Sequence, residues 1–170
     1  MSTQIYWAPI ESKFGDFAAW VDAEGRLVRF NLRATGATKV DPSAERNEKK
    51  LAGVQKQVAE YDAGKRREFD FERKAAGPEL HQRVWDLLME IAFGETTSYG
   101  ALAKKLGLGW EGARAVGVAN AENPIALIVP CHRVIGSDGS LTGYGGGLPM
   151  KRALLEHEAR VCGRKLDLFA

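Results

Sequence analysis

Two cysteines, three histidines and a net charge of only +2 in 170 residues leave several functional classes without support. Two thiols cannot build the dense disulfide framework of a small secreted fold, and they suit a reducing compartment. The histidines and cysteines show no zinc-type spacing, so no metal is expected. No apolar run approaches the ~20 residues that a membrane-crossing helix needs. Lys13 and Asp16 interrupt any apolar signal-peptide core near the N-terminus. A cytoplasmic protein without membrane association is the expectation. Charge of one sign is also scarce. Residues 1–77 carry 14 Lys+Arg against 12 Asp+Glu, and residues 78–170 carry 10 of each. Neither half is a basic tail, so any nucleic-acid binding must rest on a local basic face.

What is present is an ordinary globular composition, 45% hydrophobic and 27% charged, in a chain long enough for one large domain or two small ones. Ala75-Ala76-Gly77-Pro78 is the best linker, dividing an N-terminal α/β domain (1–77) from a mainly helical domain (78–170). Residues 4–10 read as a strand. Residues 17–32 read as a hairpin around the turn signal Asp22-Ala23-Glu24-Gly25. A loop is expected over 34–42. A helix follows from an N-cap at Ser43 to about Tyr61, with Leu51, Val54, Val58 and Tyr61 on one face. Phe69 and Phe71 alternate with acids as in a short half-buried strand. In the second domain Leu80, Val84, Leu87, Leu88 and Ile91 make a helix face. Ser98 caps a second helix that Gly107-Leu108-Gly109 ends, and Gly112 opens a third, rich in small residues. That pair has the outline of a helix-turn-helix. Residues 125–129 read as a short apolar strand, and Pro149 suits the first turn of a last helix running to about Arg160.

The chemistry concentrates in Ile128-Val129-Pro130-Cys131-His132-Arg133-Val134-Ile135. An imidazole and a guanidinium beside a thiol favour the nucleophilic thiolate. A lone cysteine is usually just a small buried residue, but two ionisable neighbours argue otherwise here. On a strand, adjacent side chains point to opposite faces. Cys131 and His132 therefore cooperate only if the backbone turns there or a water bridges them. In the last helix Met150, Leu154 and Glu158 recur four apart, with Val161 three later, which sets Glu158 on the apolar stripe. Either the stripe ends one turn early, or Glu158 is buried and needs a partner such as His132. Gly143-Tyr144-Gly145-Gly146-Gly147 either lets backbone approach a flat ligand, with Tyr144 as a wall, or is a simple connector.

Together these segments resemble the O6-alkylguanine-DNA alkyltransferases. Pro130-Cys131-His132-Arg133-Val134, Gly143-Tyr144, Lys151, Leu154-Leu155 and His157-Glu158 carry the likeness. So do Gly94-Glu95-Thr96-Thr97-Ser98-Tyr99, Ala113-Arg114-Ala115-Val116-Gly117 and Asn123-Pro124, in order and spacing over roughly residues 78–160. The resemblance implies a ribonuclease H-like α/β N-terminal lobe and a mainly α C-terminal lobe with a winged-helix-like helix-turn-helix. It implies single-turnover, irreversible transfer of an alkyl group from O6-alkylguanine, and from O4-alkylthymine, in double-stranded DNA to Cys131. No cofactor is implied, and a monomer acting from the minor groove is expected. By the same resemblance His132 takes the thiol proton through a water, Glu158 orients His132, Asn123 braces the turn, and Tyr99 donates to the departing guanine. Arg114 enters the base stack, with Ala113, Ala115 and Ser98 also at the DNA. Tyr144, Val134, Gly145, Leu141, Thr142 and Ala126 border the base and its alkyl group.

Three other readings compete. Alkyltransferase-like proteins that bind damage without repairing it resemble this chain but lack the acceptor thiol, which Cys131 supplies here. A cysteine hydrolase would use the same Cys-His-Glu trio with an oxyanion hole and turnover. A helix-turn-helix regulator would be expected to carry several base-reading side chains, whereas Arg114 stands nearly alone among Ala, Gly and Val.

Overall fold

The computed structural model describes residues 4–34 and 36–168. Within them the chain forms two compact units. One runs to Ala76 and includes Pro124–Ile128; the other comprises Gly77–Asn123 and the chain from Val129 onward.

The first unit is a mixed sheet with helices. Its elements are β1 (Ile5–Ser12), β2 (Gly15–Asp22), β3 (Leu27–Asn31), α1 (Ala37–Val40), β4 (Glu45–Arg46) and α2 (Ala52–Asp62). The strand order is β3-β2-β1-β4, antiparallel except where Tyr6 and Trp7 of β1 pair parallel with Glu45 and Arg46. The inner strand β2 buries every residue from Phe17 to Asp22, so its apolar run is nearly continuous. Asp22 builds the hairpin turn. Its carboxylate accepts from the backbone N–H of Glu24 and Arg26 and from Arg26 Nε at 2.7 Å. Helix α2 buries Val54, Val58 and Tyr61, the spacing expected of one face, and packs against β1.

Local polar chemistry overrides several expected elements. The helix does not start at Ser43. Asp41 Oδ1 accepts from both the backbone N–H and the hydroxyl of Ser43, and Asn47 Oδ1 accepts from Lys50 N, so two turns flanking the short β4 hold this stretch until Ala52. The 34–42 segment, of which residue 35 lies outside the described residues, contains the single helical turn α1 rather than loop throughout. Around Phe69 and Phe71 the side chains alternate as expected, with Phe69 stacked on Tyr61 at 5.4 Å, but pairing shrinks to one bridge between Leu27 and Arg73. Residues 125–129 are not a strand either. Phe30 N donates to Pro124 O, Ala126 N donates to Phe30 O, and only Ile125 bridges Phe30. Leu127 then takes a φ of 69° while Ile128 N donates to Ala126 O at 2.8 Å, a strained γ-turn.

The second unit contains α3 (Glu79–Leu88), β5 (Thr97–Ser98), α4 (Tyr99–Lys105), α5 (Gly112–Ala121), a 3-10 turn (Cys131–Arg133), β6 (Val134–Ile135) and α6 (Leu148–Val161). Val84, Trp85 and Leu88 form the buried face of α3, and Trp85 Nε1 donates to Ala119 O at 2.8 Å, tying α3 to α5. Ser98 Oγ accepts from Ala101 N and caps α4 as expected. Gly107 ends it at a φ of 73°. A Cβ on Gly112 would collide with Leu108, so glycine is what allows α5 to start so close to the preceding turn. Among the described residues no helix is long and apolar enough to cross a membrane.

Trp85 also abuts Gly77, where an added Cβ would fall 2.5 Å from Cη2 of the indole. The ring cannot retreat without losing its bond to Ala119. Gly77→Ala is therefore expected to lower stability by about 1–3 kcal/mol, the usual cost of overpacking, read as a lower denaturant midpoint; an unchanged midpoint would count against this packing.

Candidate active site

The approach to Cys131 is built by backbone rather than by side chains. Pro130 has φ −81° and ψ 65°, and Cys131 N donates to Val129 O at 2.8 Å, an inverse γ-turn. Arg133 N donates to Pro130 O, closing the 3-10 turn. The chain thus bends at the cysteine, which removes the strand geometry that would send Cys131 and His132 to opposite faces. Two amides grip this bend through its carbonyls. Asn123 Nδ2 donates to Val129 O at 2.8 Å and Asn120 Nδ2 donates to Cys131 O at 3.3 Å. Beyond the turn, Val134 and Ile135 pair in parallel with Thr97 and Ser98, which links the cysteine segment to the start of α4 and to Tyr99.

Glu158 lies on α6 and is fully buried, so the apolar stripe does not end early. Its Oε2 is 2.6 Å from His132 Nε2 and receives Arg133 Nη2 at 3.2 Å. Its Oε1 accepts from Arg133 Nε at 2.8 Å and from Gly94 N at 3.2 Å. Arg133 also donates to Ile91 O at 2.7 Å and lies over the ring of Phe93. Burial by itself would raise the Glu158 pKa, but His132 and Arg133 more than offset it and hold the carboxyl far below its usual range. Burial lowers the His132 pKa, and Arg133 and Lys151 add to that lowering against the pull of Glu158. The pair therefore reads as a carboxylate accepting the Nε2–H of a neutral imidazole, which leaves Nδ1 as the basic nitrogen. That Nδ1 is buried and has no hydrogen-bond partner among the described residues.

Lys151, one helical position after Met150, is also fully buried. Its Nζ donates to Thr142 O at 2.8 Å and Gly143 O at 3.4 Å, pinning the start of the glycine-rich loop. Burial lowers its pKa to about 8, with Cys131 opposing the shift, so the ammonium is largely charged at neutral pH. The Tyr144 hydroxyl is enclosed and without a partner among the described residues, and its ring meets His132 edge-on at 6.4 Å. Burial raises its pKa well above 10, with Cys131 and Glu158 adding to the effect, so it stays protonated. Thr142 Oγ1 donates to Tyr99 OH at 3.0 Å, which leaves the phenol proton directed elsewhere.

The other sequence-picked residues occupy varied environments. Val134 is buried in β6, Leu141 is half-buried and Gly145 exposed in the loop, and Ser98 caps α4. Ala113 and Ala115 are half-buried on α5 around Arg114, which is exposed and makes no ion pair among the described residues. Ala126 is buried in the first unit, its N–H bonded to Phe30 O. Three contributors escape a sequence reading: Arg133 as the second partner of Glu158, Asn120 as a clamp on Cys131, and Lys151 as a buried cation. Spacing offers a signal for two of them. Lys151 and Glu158 are seven apart on α6, and Asn120 follows the buried Val116 by four on α5. Among the described residues no group of three or more His, Cys, Asp or Glu side chains is arranged to hold a metal ion.

Comparison with known proteins bears on this geometry. Residues 79–160 match the family model described as 6-O-methylguanine DNA methyltransferase, DNA binding domain. A methylated-DNA–protein-cysteine methyltransferase of Mycolicibacterium paratuberculosis is 48% identical over 142 residues, covering 82% of this chain and 85% of that protein. The crystal structure of Mycobacterium tuberculosis O6-methylguanine methyltransferase superposes with a TM-score of 0.82 at 40% identity, covering 91% of this chain and 93% of that one. A second structure, Mycobacterium tuberculosis OGT in complex with DNA, gives a TM-score of 0.83 at 39% identity over 92% of this chain and 94% of that one. Sequence and structure agree along nearly the whole length, and the chain belongs to the family of methylated-DNA–protein-cysteine methyltransferases.

Proposed function

We propose that this chain repairs DNA by transferring the alkyl group of O6-alkylguanine, and of O4-alkylthymine, to the Cys131 sulfur, once per molecule. The observation that carries the reading is the bend at Cys131, with His132 hydrogen-bonded to the buried Glu158 at 2.6 Å. In this reading His132 Nδ1 takes the thiol proton through one water. Glu158 holds the imidazole in the matching tautomer and stabilises the imidazolium that forms. The Lys151 ammonium favours the thiolate electrostatically. The sulfur then attacks the alkyl carbon in line. An S–C bond forms as the C–O6 bond breaks, and the departing guanine takes a proton from the Tyr99 phenol. The product is a thioether that water does not cleave, which makes the protein a reagent consumed in one event.

A base stacked in a duplex is out of reach of a buried thiol, so the lesion must be rotated out at a cost of a few kcal/mol. Arg114 fills the gap that it leaves. In this reading α4, the turn and α5 act as a helix-turn-helix of winged-helix-like type, with α5 in the minor groove. Ala113 and Ala115 keep the approach close, and Ser98 lies at the edge. The minor groove presents a degenerate base code, which suits a protein that must act in any sequence. Tyr144, Val134, Gly145, Leu141 and Thr142 form the pocket for the extruded base. The first unit serves as a ribonuclease H-like lobe. The protein acts as a cytoplasmic monomer, a setting compatible with two cysteines that are not joined in a disulfide.

Four measurements test the mechanism. Incubation with an oligonucleotide holding one O6-methylguanine, followed by digestion and mass analysis, should give at most one methyl per chain, on the Cys131 peptide. Label on Cys162, or none, would sink the proposal. Arg114→Ala should slow repair of a duplex lesion by roughly tenfold or more, since flipping energies are of a few kcal/mol, while reaction with a free alkylguanine base is unchanged; equal losses would remove the intercalating role. The third is a pH profile. Because burial places the His132 pKa below 6.5, the transfer rate should hold as pH falls to about that value and decline only on further acidification. Glu158→Gln should slow transfer by about a hundredfold. It should also lower stability by about 3–5 kcal/mol, since Arg133 is left buried without a counter-charge. A rate inflection above pH 7, or an unchanged rate in Glu158→Gln, would show that this pair does not serve as the base.

A further inference from the structure

Of the four tryptophans, Trp20 and Trp85 are buried and Trp7 is half-buried, stacked on Trp20. Trp110 stands apart at 88% exposure. It lies in the turn that leads into α5, where its carbonyl accepts from Ala113 N and the next carbonyl, that of Glu111, accepts from Arg114 N. The indole therefore sits one turn ahead of Arg114. Val118, four residues beyond Arg114 on the same helix, is 48% exposed. The opposite side of α5 buries Val116, Ala119 and Asn120. Trp110, Arg114 and Val118 thus form a stripe of apolar, cationic and apolar side chains turned away from the core, on the helix already assigned to DNA.

We infer that Trp110 is a DNA contact. Its indole packs on the sugar–phosphate wall of the groove that receives α5, beside the site that Arg114 fills. Val118 continues the apolar contact on the far side. The occupant is duplex DNA for three reasons. The stripe is continuous with Arg114, a cation with no ion-pair partner among the described residues. Lys104 and Lys105, exposed at the end of α4, add positive charge nearby. Deoxyribose edges offer apolar surface next to phosphate acceptors, and an indole matches both with its face and its N–H. An apolar flank on each side of the inserted guanidinium would also shield the opened stack from water. This inference rests on the DNA-facing reading of α5 and adds a residue to it.

The test is duplex binding and repair by Trp110→Ala and Trp110→Phe in the full chain. Trp110→Ala should bind an undamaged duplex about fivefold or more weakly and repair a duplex lesion correspondingly slower at subsaturating protein. Aromatic contacts to nucleic acid have effects of this order. Because the indole is uncharged, the slope of log affinity against log salt concentration should be unchanged, unlike the loss of a cationic contact. Reaction with a free alkylguanine base and the melting temperature should match those of the unchanged protein. Adding duplex should shift the tryptophan emission of the unchanged protein, and Trp110→Phe should abolish that shift. Unaltered duplex affinity in Trp110→Ala, or slower reaction with the free base, would overturn the assignment of Trp110 alone. Failure of the unchanged protein to bind duplex or to take up the alkyl group would overturn the underlying reading of the function as well.

Discussion

A single carboxylate organises the second unit. Glu158 brings α6, the 3-10 turn and the chain at Gly94 to one point, through His132, Arg133 and a backbone amide. An isolated charge in such surroundings would be prohibitive, and its energy is acceptable only because the imidazole, two guanidinium nitrogens and a backbone N–H are directed at it. The arrangement is also directional. Arg133 meets Glu158 through two nitrogens, which fixes the plane of the carboxylate and with it the plane of the imidazole. The protonation state of His132 follows from this geometry: a bare histidine could titrate near neutrality, whereas this one is held neutral by burial and aligned by its partner. Charge in the interior thus sets both the architecture of the turn and the chemistry available to it.

Much of this was readable from residue order. Turn signals located the β2–β3 hairpin, the Ser98 cap and the glycine stop after α4 all hold, and the four-residue recurrence on α6 raised the question of Glu158. What eluded the sequence has physical causes. Ser43 looks like a helix cap because its type is right, yet Asp41 takes both of its donors and the short β4 pairing takes the residues that follow. Residues 125–129 have strand composition, but no neighbouring strand offers more than one bridge, so the segment collapses into turns. Composition reports what a residue prefers locally; it does not report which competing partner will be close.

At the site the same distinction holds. The pattern around Cys131 named the thiol and the imidazole, because their types advertise reactivity, whereas Glu158 stood out only by its place on the apolar stripe of α6. That pattern did not expose the bidentate use of Arg133, because a guanidinium meeting a carboxylate leaves no signature in linear order, and for Asn120 the spacing from Val116 marks only the buried face of α5, not the carbonyl that its amide reaches. Lys151 occupies a middle ground. A lysine on the buried side of an amphipathic helix is visible as an anomaly, but its function depends on two loop carbonyls that only folding supplies.

One consequence concerns how the nucleophile is carried. Asn123 and Asn120 hold the bend by its main-chain oxygens, and nothing in those clamps refers to sulfur. A small side chain of any kind at position 131 would leave both amide clamps on the bend. Recognition and reaction are therefore separable by a single codon change. A descendant of this scaffold could turn from removing a lesion to merely flagging it without redesigning the architecture that finds it.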